Sequence, residues 1–162
     1  MIVWRISNYG SLDGKGGLRS AGRWHNKGVS VVYLAESPAA GMLEVLANLE
    51  LGADQLPNSY CLLEVECPEK VAVETLNPRK LADDWWQNVE WTRAAGDQWV
   101  ASSESAILRV PSAIVPHSFN YLFNPRHPDA KWCKILSYKE YPFDKRLLAP
   151  KVGAVGEPGP ND

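Results

Sequence analysis

The sequence predicts a single mixed α+β domain, built on a largely antiparallel or mixed sheet with segregated flanking helices. Three observations carry this. Short β-type runs recur with turn residues between them, helical patterning is confined to residues 38–50 and 83–103, and no internal repeat appears. The 162 residues and 18.0 kDa match one domain on the usual scale of roughly 100–200 residues, and 45% hydrophobic residues suffices for one core.

Ile2-Val3-Trp4-Arg5-Ile6 reads as a first strand. The stretch from Ser7 to Gly22 holds five glycines and little to pack, so a long loop is expected. Val29 to Ala35 is a stronger strand, bounded by Gly28 and by Ser37-Pro38. That boundary also opens a helix: Ser37 can accept a backbone N–H as N-cap, and Pro38 suits the first helical position. The helix should reach Leu49 or Glu50, with Gly52 as its stop. At 100° per residue, Ala39, Met42, Leu46 and Leu49 form one apolar stripe, edged by Leu43 and Val45. Glu44 lies opposite, among the small residues Ala40, Gly41, Ala47 and Asn48. Two readings fit it: a surface glutamate on a short helix, or a carboxylate with space beside it for a ligand.

From Tyr60 to Cys67, Cys61, Leu63, Val65 and Cys67 alternate with Leu62, Glu64 and Glu66, the period of a strand with one buried face, and Pro68 ends it. Asp83-Asp84 offers negative charge to the start of a helix holding Trp85, Trp86 and Val89. Gly96 is expected to break that helix before a second short one through Ser103. Four of the seven tryptophans fall between Trp85 and Trp99; they are expected to pack over the sheet, the alternative being an aromatic platform for nucleotides. Ala106 to Val110, Phe119 to Phe123 and Trp132 to Lys139 are further strands. Pro111, Pro116, Pro125 and Pro128 in their connections favour edge positions and fixed turns. The working domain is expected over residues 1–148, and the glycine- and proline-rich residues 149–162 as a disordered tail.

Charge and motifs narrow the function. Seventeen Lys and Arg against 19 Asp and Glu give a net charge of −2, so the basic excess behind non-specific nucleic-acid binding is absent; a local basic cleft stays open. No apolar run approaches the ~18 residues of a membrane span, and Arg5 and Asn8 interrupt the amino terminus where a signal peptide needs apolar residues. A cytoplasmic chain is expected. Cys61, Cys67 and Cys133 are odd in number and lack C-x-x-C spacing, as befits buried thiols in a reducing compartment. Arg19 occupies the third glycine position of a dinucleotide fingerprint after Gly14 and Gly16, and the phosphate-loop, zinc-protease and serine-elbow motifs are missing. His25, His117 and His127 are far apart in sequence, and no metal is expected.

Two stretches are more specific. Gly22-Arg23-Trp24-His25-Asn26-Lys27-Gly28 runs into the strand ending at Tyr33 and Ala35, with Glu44 on the helix that follows. Arg23 beside glycine can fork phosphate oxygens; the plainer reading makes it a surface arginine and Trp24 core. The second is Val110-Pro111-Ser112-Ala113-Ile114-Val115-Pro116, followed by Asn120 to Pro128. In this order and spacing, with Trp4-Arg5-Ile6 ahead of them, these stretches resemble the RES domain family, the toxin half of bacterial RES–Xre toxin–antitoxin modules. The matching positions of the family's arginine, glutamate and serine are Arg23, Glu44 and Ser112, with Tyr33 as its tyrosine.

The resemblance implies a fold similar to ADP-ribosyltransferases and an enzyme that cleaves the nicotinamide–ribose bond of NAD, which is substrate and not cofactor. Glu44 would then stabilise the electron-poor ribosyl centre, Arg23 and Arg5 would hold the diphosphate, Tyr33 would offer a ring face and a hydroxyl, and Ser112 would hydrogen-bond substrate without acting as nucleophile. Transfer of ADP-ribose to a protein or to inorganic phosphate is the near alternative to hydrolysis. A non-enzymatic module for single-stranded nucleic acid is the distant one. The resemblance also implies an Xre-family helix-turn-helix antitoxin as partner, and a toxin homodimer within the complex.

Overall fold

The structure, a computed structural model, describes residues 1–48, 57–76 and 81–147. Its strands are β1 (Ile2–Ile6), β2 (Val32–Ala35), β3 (Ser59–Glu66), β4 (Val73–Thr75), β5 (Ile107–Pro111), β6 (Phe119–Phe123) and β7 (Lys134–Pro142). Its helices are α1 (Lys15–Arg19), α2 (Pro38–Asn48) and α3 (Val89–Ser102). The seven strands form one sheet in the order β4-β5-β6-β2-β1-β3-β7. Every neighbouring pair is antiparallel except β4 with β5. The mixed, mostly antiparallel α+β class read from the sequence is the one observed.

Alternation along the strands divides the apolar residues between two faces. Val3, Val32, Leu34, Leu63, Val65, Ile107 and Phe123 gather on one. Leu108, Val110 and Leu122 gather on the other, under Trp24 and under Trp99 of α3. Helix α2 lies on this second face as well, its Gly41 packed against Ile6 and Ala35. The space between α2 and the Trp24 segment is the cavity described below. No helix among the described residues is long and apolar enough to cross a membrane.

Helix α2 begins where the sequence places it, and the Ser37 hydroxyl accepts the Ala40 amide at 3.1 Å; its expected end and the Gly52 stop lie outside the described residues, as do the 148/149 boundary and the tail. Four local expectations are corrected. The 7–22 stretch contains α1, whose sequence Lys-Gly-Gly-Leu-Arg has little helical propensity of its own; it is tied down by tertiary contact, the Gly28 amide donating to the Gly17 carbonyl at 3.0 Å. The prolines between the later strands do not make β5 and β6 edges: both are interior, with the prolines confined to the connections and to the last residue of β5. The short exposed strand β4 had no sequence signal. A 3-10 turn over Pro128–Trp132 also delays β7 to Lys134.

The largest difference concerns Gly96. Residues 83–103 form a 3-10 turn, Trp85–Gln87, and then one continuous α3 capped by Asn88, whose side chain accepts the Trp91 amide at 3.0 Å. Gly96 lies mid-helix because a Cβ there would overlap the carbonyl oxygen of Trp24. It is a point of close approach rather than a break. The tryptophans divide accordingly: Trp85 packs on Trp24 with ring centroids 5.6 Å apart and Trp99 is core, whereas Trp86 and Trp91 are exposed.

Gly96→Ala therefore tests the helix contact by the sign of its effect. At an exposed helical site the change would stabilise by up to ~1 kcal/mol. Here overpacking against backbone should destabilise by about 3 kcal/mol, read as a lower urea midpoint at unchanged m-value.

Candidate functional site

A cavity of about 610 Å³ opens on the second face of the sheet. Its floor is Trp4 and Ile6 of β1 with Tyr33 and Ala35 of β2. One wall is Gly41, Glu44 and Asn48 of α2, another is Gly22-Arg23-Trp24, and Ala113, Ile114 and Asn120 complete the rim. The small-residue side of α2 noted in the sequence is thus the side that faces the cavity, and Glu44 stands on it.

Glu44 is held by two donors on one oxygen. Oε1 accepts the Ser112 hydroxyl at 2.8 Å and the Asn120 Nδ2 amide at 2.6 Å. Among the described residues no donor reaches Oε2. Ser112 is itself fixed, because its oxygen accepts the amides of Ile114 and Val115, both at 3.1 Å. Its amide also donates to the Ser118 carbonyl at 2.9 Å, while Ser118 and the Phe119 amide donate to Glu36, just ahead of α2. The turn between β5 and β6 is therefore fastened to α2 at Glu36 and at Glu44.

Tyr33 is held with equal completeness. Its hydroxyl accepts the Trp24 amide at 2.9 Å and lies 2.8 Å from His25 Nδ1. His25 Nε2 lies 3.1 Å from the Ser20 carbonyl, which can only accept, so neutral His25 carries its proton on Nε2 and Tyr33 donates to Nδ1. Burial lowers the His25 pKa and pushes the Tyr33 phenol up. Both groups are uncharged near neutrality. Gly22 makes room for them, since a Cβ at that position would stand 2.5 Å from the Tyr33 oxygen.

Helix α3 clamps the segment that carries these groups. Thr92 donates to the Arg23 carbonyl at 2.7 Å, Arg93 Nε to the Gly22 carbonyl at 2.9 Å, and Asp97 accepts the amide and side chain of Asn26 at 3.0 and 2.7 Å. The Arg23 guanidinium, partly exposed, spends one nitrogen on the Trp86 carbonyl at 2.6 Å. That leaves it a further edge toward the cavity it borders.

The structure thus brings Arg23, Tyr33 and Glu44 to one cavity and treats the other two expected residues differently. Ser112 meets its hydrogen-bonding capacity within the protein, donating once and accepting twice, so its hydroxyl serves Glu44 where a contact to substrate was expected. Arg5 borders the cavity, but its register partner is Leu63 on the opposite face and its guanidinium donates to the Ser11 carbonyl. Desolvation pulls its pKa below the ordinary value. The Tyr33 ring is free to meet a ligand, but its proton is committed to His25. Sequence reasoning missed Asn120 and His25. The signal for Asn120 was a polar residue at a buried position of an apolar strand, in phase with Leu122. Among the described residues no three His, Cys, Asp or Glu side chains gather as metal ligands.

The buried neutral His25 fixes a pH dependence. The unfolded chain binds a proton at about 6.5 and the folded one only at lower pH. This contribution to stability is therefore complete above about 6.5 and lost as pH falls through the folded pKa. Urea midpoints measured between pH 7 and 5 should fall more steeply for the native chain than for His25→Gln.

Comparison with known proteins identifies the family. The RES domain family model matches residues 2–144. Toxin Res of Pseudomonas putida is 45% identical over 148 residues, covering 91% of this chain and 100% of that protein. The Prs ADP-ribosylating toxin of a Sphingobium species is 36% identical over 155 residues, covering 90% and 95%. The crystal structure of the M. tuberculosis MbcT–MbcA toxin–antitoxin complex matches in fold, with a TM-score of 0.68 at 20% identity over 91% of this chain and 86% of that one. With its family match spanning nearly all the described residues and its relatives matched along almost their whole lengths, the chain belongs to the RES domain family.

Proposed function

We propose that this chain is the toxin of a toxin–antitoxin pair and that its cavity binds NAD and breaks the nicotinamide–ribose bond. The observation that carries the reading is Glu44, whose Oε1 is occupied by Ser112 and Asn120 while Oε2 has no donor among the described residues. A carboxylate fixed in this way, beside a floor formed by Tyr33 and Trp4, suits a reaction whose transition state is an electron-poor ribosyl cation. Breaking the C1′–N bond returns its electron pair to the pyridinium nitrogen and leaves positive charge on the sugar, which Glu44 stabilises. Water then bonds to C1′ and releases a proton, giving nicotinamide and ADP-ribose.

Arg23 supplies the cationic edge for the diphosphate, and the Tyr33 ring offers a flat surface to the nicotinamide or its ribose. Arg5, bonded to the loop on the other face, holds β1 in place beneath the site. Ser112 works through Glu44. The name of the Sphingobium relative, an ADP-ribosylating toxin, favours a second reading in which a protein or inorganic phosphate replaces water as acceptor. In either case an antitoxin restrains the toxin in the cytoplasm. The family resemblance supports an Xre-type helix-turn-helix protein as that antitoxin, and toxin–toxin contacts within the complex.

Glu44→Gln should lower nicotinamide release from NAD by about 10²–10³-fold, with an unchanged circular dichroism spectrum; undiminished release sinks the assigned role. Ser112→Ala and Asn120→Ala should each lower kcat about tenfold or more with little change in KM, because both act on the carboxylate and not on bound substrate. Mass spectrometry of the products, in buffer, with phosphate and with lysate, identifies the acceptor: free ADP-ribose marks hydrolysis, and a phosphorylated sugar or modified protein marks transfer.

A further inference from the structure

The cavity leaves the cysteines unused, and two of them are placed as a pair. In the register of β3 and β7, Val65 faces Ile135 and Glu66 faces Lys134, so the next positions to meet are Cys67 and Cys133. The Cys67 amide donates to the Met1 carbonyl at 2.9 Å, and its carbonyl accepts from the terminal ammonium at 2.6 Å. The Cys133 amide turns back to Ala130 at 3.1 Å. Both cysteines therefore direct these backbone groups away from each other. That is the non-hydrogen-bonded kind of antiparallel pair, in which Cα atoms come within about 4.5 Å, inside the range of roughly 4.4–6.8 Å that a disulfide spans.

Cys67 is 1% exposed and sits in the Val65 cluster, against which the more accessible Cys133 packs from the same side. We propose that Cys67 and Cys133 are a reversible dithiol–disulfide site that reacts with small disulfides such as oxidised glutathione. The Cys133 thiolate attacks one sulfur of the reagent, its S–S bond breaks, and one glutathione thiolate leaves. Cys67 then loses its proton to solvent and attacks Cys133 in the mixed disulfide, expelling the second glutathione. The two protein thiols are oxidised and the reagent is reduced to two thiols. Hydrogen bonding from Cys67 to Cys133 favours this order, because it holds the Cys133 thiol below its ordinary range and raises that of Cys67. Cys61 stands opposite Glu140 and has no such partner in the register.

The bond would join the edge strand β7 to β3 on the face away from the cavity, so oxidation should stabilise the fold and leave the site untouched. The test incubates the full chain with oxidised glutathione, alkylates the remaining thiols under denaturing conditions and maps the peptides by mass. Linked Cys67 and Cys133 peptides are expected, with Cys61 alkylated and a Tm raised by several degrees that dithiothreitol restores. Cys67→Ser should instead retain one glutathione on Cys133, and Cys133→Ser should leave Cys67 unmodified. A native chain that keeps glutathione on Cys133, links Cys61, or stays fully reduced under these conditions overturns the proposal.

Discussion

Two hydrogen bonds to a single carboxylate oxygen hold this cavity together. Ser112 and Asn120 come from the β5–β6 connection and from β6, Glu44 comes from α2, and among the described residues these hydrogen bonds and those to Glu36 bind that connection to the helix and its approach. Hydrogen bonds to a charged group contribute about 1.5–3 kcal/mol each, comparable to burying a large apolar side chain. Along α2 the residue buried outright is Gly41, which packs on Ile6 and Ala35, whereas Met42, Val45 and Leu46 are half-buried and Leu43 is exposed. A polar clasp takes the place that leucines would occupy in an ordinary helix–sheet layer, and it leaves room for a ligand.

The opposite wall is built on another principle. The Gly22–Asn26 segment closes a tight turn of its own, the Gly22 amide donating to the His25 carbonyl at 3.0 Å, and α3 supplies further partners from Thr92, Arg93 and Asp97. Contact between Gly96 and Trp24 brings that helix close enough for all three to reach. The network Trp24–Tyr33–His25–Ser20 then completes a floor whose polar atoms are paired. Unlike the α2 wall, this one depends on shape: a methyl group at residue 22 or 96 would intrude where a backbone or hydroxyl oxygen already lies.

Much of this was legible in the residues. Short β-type runs located β1 and β6, the period-two run from Tyr60 located β3, and Ser37-Pro38 set the start of α2. The small neighbours of Glu44 pointed to open space beside it. What was not legible was tertiary in origin. A glycine inside a helix reads as a break when its neighbour, Trp24, is seventy-two positions away in sequence. Prolines between strands say that a connection is rigid, not whether the strands it joins are central. Ser112 was recognisable as a site residue, but whether its hydroxyl faces a ligand or a carboxylate depends on how the turn folds. For Arg5, alternation along β1 places the side chain beneath the sheet, a geometry that its neighbour Trp4, facing the cavity, helps to fix.

The two walls also differ in electrical sign. Arg23 stands on one and Glu44 on another, with an uncharged Tyr33, bonded to a buried and uncharged His25, on the floor they share. A ligand that is anionic at one end and cationic at the other can lie across such a trough in only one sense, and turned end for end it would meet like charge at both. NAD is polarised in this way, with its diphosphate and its pyridinium. In the proposed reaction the pyridinium would become a neutral base once the glycosidic bond breaks, so the attraction seating it beside Glu44 would end with the chemistry and the leaving group would no longer be held.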